Sequence, residues 1–393
     1  MDKILILGAG IYQVPLIKKA KEMGLYTIVA SINGNYPGFD LADKVYYANT
    51  VDINLIKEIA RNEKITAICT TGTDVAVQTI GAVCDELGLC GISEESAKIA
   101  TNKLLMKEAF NKGNVRSAEF VKVSTIEEAK KEARTIGLPV MFKSVDSSGS
   151  RGIIKVENYA DIEKAFKYSK ENTRKNYIII EKFIQGSEIG VDAFVVDNEI
   201  QLLLPHNKLV YNNGDTDVPL GHSFPYECSE SLLNDIKEQV TKVIKSVGFN
   251  NCAVNMDVLI NKDKAYVIEA GGRAGATCIP ELISIHCGFN YYEKMIKCAL
   301  GERVDFEVTN YTPCAARLIT SNSNGIIKDI NIEKYKLNKS IDISFDYDIG
   351  DNVNKFRVGP DRIGQIIVQG ESLDAVLKTL IKVSDDKKLI IID

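Results

Sequence analysis

Asn255-Met256-Asp257-Val258-Leu259-Ile260, a polar turn at Asn261–Lys264, and Ala265-Tyr266-Val267-Ile268-Glu269-Ala270-Gly271-Gly272-Arg273 decide how this chain is read. Two apolar runs joined by a short polar turn predict a β-hairpin. In that hairpin Asp257 and Glu269 fall at opposing positions between apolar neighbours. Two carboxylates placed so repel each other, and burial adds to the cost unless a cation sits between them. Hard oxygen ligands beside phosphate point to Mg²⁺. Arg273 follows closely, one of only ten arginines, and its planar fork suits an anionic oxygen.

Upstream, Tyr177-Ile178-Ile179-Ile180-Glu181-Lys182-Phe183-Ile184 is an apolar strand running into a short link, with Glu188 seven positions after Glu181. Such a strand presents backbone groups to a ligand edge; alternatively it is amphipathic with two solvated glutamates. Further upstream, Met141-Phe142-Lys143-Ser144 carries a lysine on an apolar strand and leads into Asp146-Ser-Ser-Gly-Ser-Arg-Gly152. Glycines let a backbone approach phosphate oxygens, while amides, hydroxyls and a cation bind them. GxxxxGK[ST] is absent, so this is no P-loop, and a hairpin loop beside a surface lysine is the other reading.

Around these segments the patterns predict strands near 119–123, 139–144, 153–156 and 177–181. Helices are predicted from the Thr125-x-x-Glu128 capping box and over 159–171, giving a small α+β lobe. Residues 188–270 read as long strands broken by one helix at about 230–247. The first 95 residues alternate apolar runs (3–8, 27–31, 65–70) with helical patterns (14–23, 53–62, 74–87), as in a doubly wound parallel sheet. Gly8-Ala9-Gly10 closes the first strand, but Gln13 stands where a dinucleotide fingerprint needs glycine, so a tight turn suffices to explain it. A compact helix fits 101–113, and a smaller α+β unit follows residue 305.

Composition excludes several classes. The formal charge of −5 and pI near 5.6 lack the basic face of a nucleic-acid binder. The sequence begins directly with a buried-strand pattern, and no apolar stretch approaches the ~18 residues of a membrane span, so a cytoplasmic protein without a membrane partner is expected. Nine scattered cysteines without a CxxC pair read as reduced thiols, and three dispersed histidines give no zinc signature.

Taken in order, Lys103, the Lys143–glycine-loop unit, the Glu181-Lys182-Phe183-Ile184 link with Glu188, and the acidic hairpin with Arg273 resemble the ATP-grasp superfamily over about 101–275. The flanking regions, including Arg357-Val-Gly-Pro-Asp-Arg-Ile-Gly, are similar to its biotin carboxylase, purine-synthesis and carbamoyl-phosphate-synthase-like branch. The resemblance implies an α/β and α+β chain of three parts: an N-terminal doubly wound domain (1–98), an ATP-grasp domain (99–305, small lobe about 117–187) and a small C-terminal α+β domain (306–393). It implies ATP and Mg²⁺, with Mn²⁺ as an alternative metal.

Residue by residue, the resemblance puts Lys103 and Lys143 on α- and β-phosphates under a loop that includes Ser148, Gly149 and Gly152. Glu181, Lys182, Phe183 and Ile184 would border adenine, and Glu188 would take the ribose. Asp257 and Glu269 would hold metal, and Arg273, with Lys143, would serve phosphoryl transfer. Where the family often has Glu-x-Asn, this chain has Glu269-Ala270-Gly271, which removes one side-chain ligand. The implied activity is a carboxylate–amine ligase working through an acyl phosphate on small-molecule acid and amine substrates. The alternatives are a bicarbonate-activating enzyme or a nucleotide-binding protein without turnover. His222 and Lys208 are the candidate substrate contacts, with Arg317 as a further one, and a homodimer is expected by resemblance.

Overall fold

The run Ile4–Leu7 has no polar residue to offer solvent, so it suits a strand covered on both faces. It forms the core of β1 (Lys3–Leu7), whose side chains from Ile4 onward are fully buried. A computed structural model describes residues 1–147, 149, 151–212 and 217–393 of the chain. β1 pairs in parallel with β2 (Tyr26–Ser31) and β4 (Ala67–Cys69), and β2 with β3 (Lys44–Tyr47), in the order β3-β2-β1-β4. Helix α1 (Val14–Glu22) connects β1 to β2, α2 (Ile53–Glu63) connects β3 to β4, and α3 (Val77–Leu87) follows β4. The turns after β1 and β4 therefore emerge at one edge, where an open parallel sheet presents ligands.

Two short helices follow where one was expected. α4 (Glu94–Ala100) starts at the cap Ser93, and α5 (Lys103–Lys112) starts at Asn102, whose side chain accepts from the amides of Leu104 and Leu105. The second cap interrupts what would otherwise be one helix, and it aims α5 at the small lobe. That lobe contains β5 (Phe120–Val123), α6 (Ile126–Ile136), β6 (Val140–Lys143), β7 (Ile153–Val156), α7 (Ile162–Glu171) and β8 (Ile178–Lys182), with strand order β5-β8-β6-β7. The alternation of strand side chains divides its faces. Val140, Phe142, Ile178 and Ile180 pack under α6 and α7, which leaves Met141, Lys143 and Glu181 on the opposite face.

The same period of two organises the large lobe, which comprises β9 (Ser187–Val196), β10 (Glu199–Asn212), β11 (Asp217–Phe224), α8 (Glu230–Val247), β12 (Cys252–Asn261) and β13 (Lys264–Gly271). Along β9 the odd positions Ile189, Val191, Ala193 and Val195 pack against α8 through Ile236, Val240 and Val243. The even positions face the other way: Glu188 lines a cleft, Asp192 is buried beside it, and Phe194 enters a second core with α9 (Ile279–Cys287) and α10 (Tyr291–Ala299). A one-residue slip of β9 would put the carboxylates into the α8 core, so both hydrophobicity and charge fix its register.

Residues 306–393 carry β14 (Cys314–Ile319), β15 (Gly325–Ile330), β16 (Ile341–Phe345), β17 (Asn352–Val353), β18 (Gly364–Gln369), α11 (Leu373–Ser384) and β19 (Ile390–Ile392). Three of these strands extend the large sheet, whose order is β13-β12-β9-β10-β11-β14-β18-β16. The large lobe and the C-terminal segment thus share one continuous ladder, joined at β11–β14. All nine cysteines are free thiols, and no helix among the described residues is long and apolar enough to cross a membrane.

Phe194 meets Tyr291 edge-on at 5.8 Å and Phe306 at 4.7 Å, linking the sheet to α10 and to the segment after it. Phe194→Ala is expected to cost about 3–5 kcal/mol through lost burial and an unfilled cavity, measured by urea unfolding.

Candidate active site

The turns of the first sheet, the small lobe and the polar face of the large sheet enclose an open cleft of about 2800 Å³. α5 brings two lysines to it because positions four apart share a helix face. Lys103 Nζ donates to Ser147 O at 2.9 Å and lies 3.2 Å from Glu269 Oε2. Lys107, one turn on, reaches Ser117 Oγ at 2.7 Å and Glu181 Oε2 at 3.5 Å. Lys143 donates to the same Glu181 oxygen at 2.8 Å. Burial alone would favour protonated Glu181, but Lys107 and Lys143 outweigh it and hold the carboxyl below its ordinary pKa. Glu181 Oε1 is buried with no hydrogen-bond partner.

Asp257 and Glu269 are direct register partners across β12 and β13, as the sequence suggests. Each has its own lysine: Lys208 Nζ donates to Asp257 Oδ1 at 2.8 Å and also contacts Glu188, while Lys103 serves Glu269. Lys103 is the main reason the Glu269 carboxyl is held down to about 2. Burial opposes the Lys208 charge, yet Asp257 and Glu188 outweigh it and raise that pKa. Glu188 itself is raised by burial and then by Asp257, with Lys208 acting against both. Among the described residues no three His, Cys, Asp or Glu side chains form a closed metal cage. Two facing carboxylates at the edge of a roomy cation-lined cleft nevertheless fit Mg²⁺, which commonly takes one or two protein carboxylates and fills its remaining positions with phosphate and water.

A chain of polar contacts crosses the cleft floor. Arg273 grips Asp74 through Nε (2.8 Å) and Nη2 (3.0 Å), and its Nη1 donates to Asn255 Oδ1 at 3.0 Å. Asn255 Nδ2 donates to Asp192 at 3.2 Å, and Asp192 Oδ2 meets His206 Nε2 at 2.9 Å. Glycine is needed at 190 because a Cβ there would lie 2.1 Å from the His206 ring. Gly271 is explained in the same way: its Cβ would stand 2.9 Å from Asp74 Oδ1. Asp74, in the turn after β4, thus stands directly against this position. After Arg273, Thr277 and Cys278 adopt left-handed φ values of 55° and 67°. That conformation costs a β-branched residue such as Thr277 ~1–3 kcal/mol. α9 then opens at Ile279, with Ala276, Thr277 and Ile279 on the cleft wall.

The structure brings most of the expected residues together. Lys103, Lys143, Gly149, Glu181, Lys182, Phe183, Ile184, Glu188, Lys208, His222, Asp257, Glu269 and Arg273 all line the cleft. Lys182 is held by the carbonyls of Gly137 (2.6 Å) and Ile136 (3.3 Å). Ser148 lies outside the described residues. Gly152 is not on the cleft wall: it closes the base of the loop, where Ser144 N donates to its carbonyl at 2.9 Å. Arg317 is a correction. It is absent from the cleft wall and its Nη1 reaches Ser384 Oγ on α11 at 3.4 Å, because alternation on β14 turns it away. His222 is buried, Nδ1 has no partner, and burial followed by the nearby His206 and Lys208 keeps its pKa well below the ordinary value. Sequence reasoning missed Lys107, Asn255 and Asp192 as site residues; Asp74, in the Gly72-Thr73-Asp74 turn, and His206, in the polar segment with Lys208, fall in stretches that the sequence marks as natural ligand positions. For Lys107 the i,i+4 spacing from Lys103 was the available signal.

The sequence model of the ATP-grasp domain matches residues 136–281. The chain is 25% identical over 360 residues to a formate-dependent phosphoribosylglycinamide formyltransferase of Sulfurisphaera tokodaii, covering 84% of each protein. It is also 25% identical over 274 residues to an alanine–anticapsin ligase of Bacillus subtilis, covering 62% of this chain and 57% of that one. Among solved structures, a phosphoribosylglycinamide synthetase from Anaerococcus prevotii is 32% identical with a TM-score of 0.84, covering 100% of this chain and 99% of that one.

Removing Lys208 leaves Glu188 and Asp257 facing each other without their cation. Lys208→Met is therefore expected to lower the melting temperature by a few degrees in EDTA and to recover it with millimolar Mg²⁺. Differential scanning calorimetry with and without the metal checks this, and a metal-independent loss would refute it.

Proposed function

This chain belongs to the ATP-grasp family, and on that premise we propose that it is an ATP-dependent ligase that joins a small-molecule carboxylate to an amine through an acyl phosphate. The observation that carries the proposal is the Asp257–Glu269 pair in register across one hairpin, with Lys103, Lys143 and Arg273 lining the same cleft. Family ligases use ATP and Mg²⁺; in this chain Asp257 and Glu269 would hold the metal, which supplies charge neutralisation at the phosphates.

The remaining work falls to the protein's own groups. Lys103 and Lys143 bind phosphate oxygens, exchanging their present carboxylate and carbonyl partners for them, beneath the loop that holds Gly149. The link Glu181–Ile184 and Glu188 receive the base and ribose. The substrate carboxylate attacks the terminal phosphoryl group and ADP departs. Arg273, held in line by Asp74 and Asn255, stabilises the charge that develops on the transferring group. The amine then attacks the acyl carbon, phosphate leaves, and the amine's proton passes to solvent or to the leaving phosphate. Positioning and electrostatics suffice for this chemistry, so no nucleophilic Ser or Cys is required. His222 and Lys208 are the proposed contacts for the organic substrates, since both reach the cleft from the β10–β11 hairpin. Asp74 keeps Arg273 aligned, and the metal position that an asparagine at 271 would fill falls to Glu269 or water.

An ADP-release screen of amino acids, other carboxylates and bicarbonate against a panel of amines tests the reaction class. ADP and phosphate formed only when an acid and an amine are both present is the expected result; turnover with bicarbonate alone would redirect the assignment. With the pair identified, Arg273→Ala is expected to reduce kcat by ~10²–10³ with a smaller change in ATP affinity, the cost of losing one stabilising donor set. An unchanged kcat would remove Arg273 from the chemistry.

A further inference from the structure

Beyond Arg273 the cleft runs on between the turn after β1 and the C-terminal segment, where Gly10, Tyr12, Thr277, Asp346 and Arg362 line its wall. Two groups at this end have the chemistry to bind an anion. One is the turn Gly8-Ala9-Gly10, since glycine-rich backbone ahead of a helix offers amides to phosphate oxygens. The other is Arg362, whose planar fork matches phosphate in bidentate fashion. Both are engaged from within the chain. Gln13 folds back over the turn: its Oε1 accepts from Gly10 N at 2.9 Å and its Nε2 donates to the Thr71 carbonyl. Arg362 gives Nε and Nη2 to the two oxygens of Asp346 at 2.7 and 2.9 Å, and Nη1 to Gln365 Oε1 at 3.0 Å. Every nitrogen of that guanidinium thus has an acceptor, and the residue is 5% exposed. The strand ladder sets the pair. β16 and β18 end in the register Phe345–Gly364, and the next bond, Asp346 N to Ile363 O at 2.8 Å, brings Asp346 beside Arg362.

We propose that Asp346 and Gln13 are specificity residues for the second substrate: they occupy the anion-binding groups at this end and close it to amines that carry a phosphate, leaving it to amines that carry none. This deepens the ligase reading of the cleft and rests on it, because only then is this end the room left beside a bound nucleotide. Arg362 differs from Lys103 in what an exchange of partners leaves behind. Glu269, released by Lys103, has a metal to go to. Asp346, released by Arg362, would have none. It would stand as a bare carboxylate beside the incoming phosphate, on a wall that Asp348 and Asp351 also line. A like charge built against the wrong partner discriminates as effectively as an attraction toward the right one. At the turn, a phosphate oxygen would have to displace a glutamine that is 6% exposed and held at both ends of its amide. An amine without phosphate meets neither cost.

The test is calorimetric titration of O-phosphoethanolamine into the full chain and its variants. Each is first saturated with Mg²⁺ and a non-hydrolysable ATP analogue, so that the phosphate-binding lysines are already taken. Asp346→Ala, which frees Arg362, is expected to bind the probe about tenfold or more tighter than wild type, the scale of one charge-assisted hydrogen bond. Asp346→Ala/Arg362→Met should lose that gain. Gln13→Met, which frees the Gly10 amide, should show a smaller gain of a few-fold, and it carries the test if Asp346→Ala does not fold. In the ADP-release screen, amines without phosphate should turn over and their phosphate esters should not. If the analogue does not bind, or no amine releases ADP, the ligase reading falls and this inference with it. If the analogue binds but wild type takes the probe as tightly as the variants do, this inference alone is wrong. Faster turnover of a phosphate ester than of its parent amine would sink it equally.

Discussion

Four carboxylates (Glu181, Glu188, Asp257 and Glu269) converge on one cleft, and each has a lysine within reach. Like charges gathered at low dielectric would either protonate or force the walls apart, so the lysines are a condition for the cleft to exist. The pairing has a functional consequence. A lysine matched to a carboxylate is already desolvated and oriented, so it can pass to a phosphate oxygen without first losing bulk water. Glu269, released in this way by Lys103, is then available to the divalent cation proposed above. The free chain therefore holds its charges in a neutral arrangement that a metal–nucleotide complex can replace group for group.

The arrangement depends on strand alternation. β9 sends Ile189, Val191, Ala193 and Val195 into the α8 core, and this leaves Glu188 and Asp192 no other side to occupy. β6 and β8 do the same in the small lobe, where packing of Phe142, Ile178 and Ile180 under α6 and α7 determines that Lys143 and Glu181 face the cleft. The hydrophobic term is large and non-directional. Here it acts through a period of two, and so it also fixes where polar groups point.

That division explains which features could be read from the sequence. The hairpin pairing of Asp257 with Glu269 was legible, because two apolar runs around a short turn specify their own register. The lysine–glycine loop and the Glu181 link were legible by their order. The grip of Asp74 on Arg273 was not: the two are 199 positions apart, and they meet because the turn after β4 docks beside Ala274. Lys107 was hidden differently. Mid-helix lysines are usually solvated, and only the small lobe packed over α5 buries this one. The joining of β14, β16 and β18 to the large sheet was equally out of reach, since antiparallel partners far apart in sequence leave no local pattern. Arg317 failed for a local reason, in that one step along β14 reverses the face.

Position 271 ties these points together. Its missing side chain, taken alone, weakens the expectation of an active ligase. In the structure a Cβ at 271 would stand 2.9 Å from Asp74 Oδ1, and Asp74 itself holds Arg273 by two bonds. The glycine and the aspartate are thus one device shared between two segments: the strand gives up a side chain so that the N-terminal sheet can reach the reacting end of the cleft. The sheet's turn is thereby made part of the site, with Gly72 N donating to Ala274 O at 3.2 Å to hold it there. The arginine proposed above to serve phosphoryl transfer is then oriented by that turn, so the N-terminal unit helps build the cleft and does more than flank it.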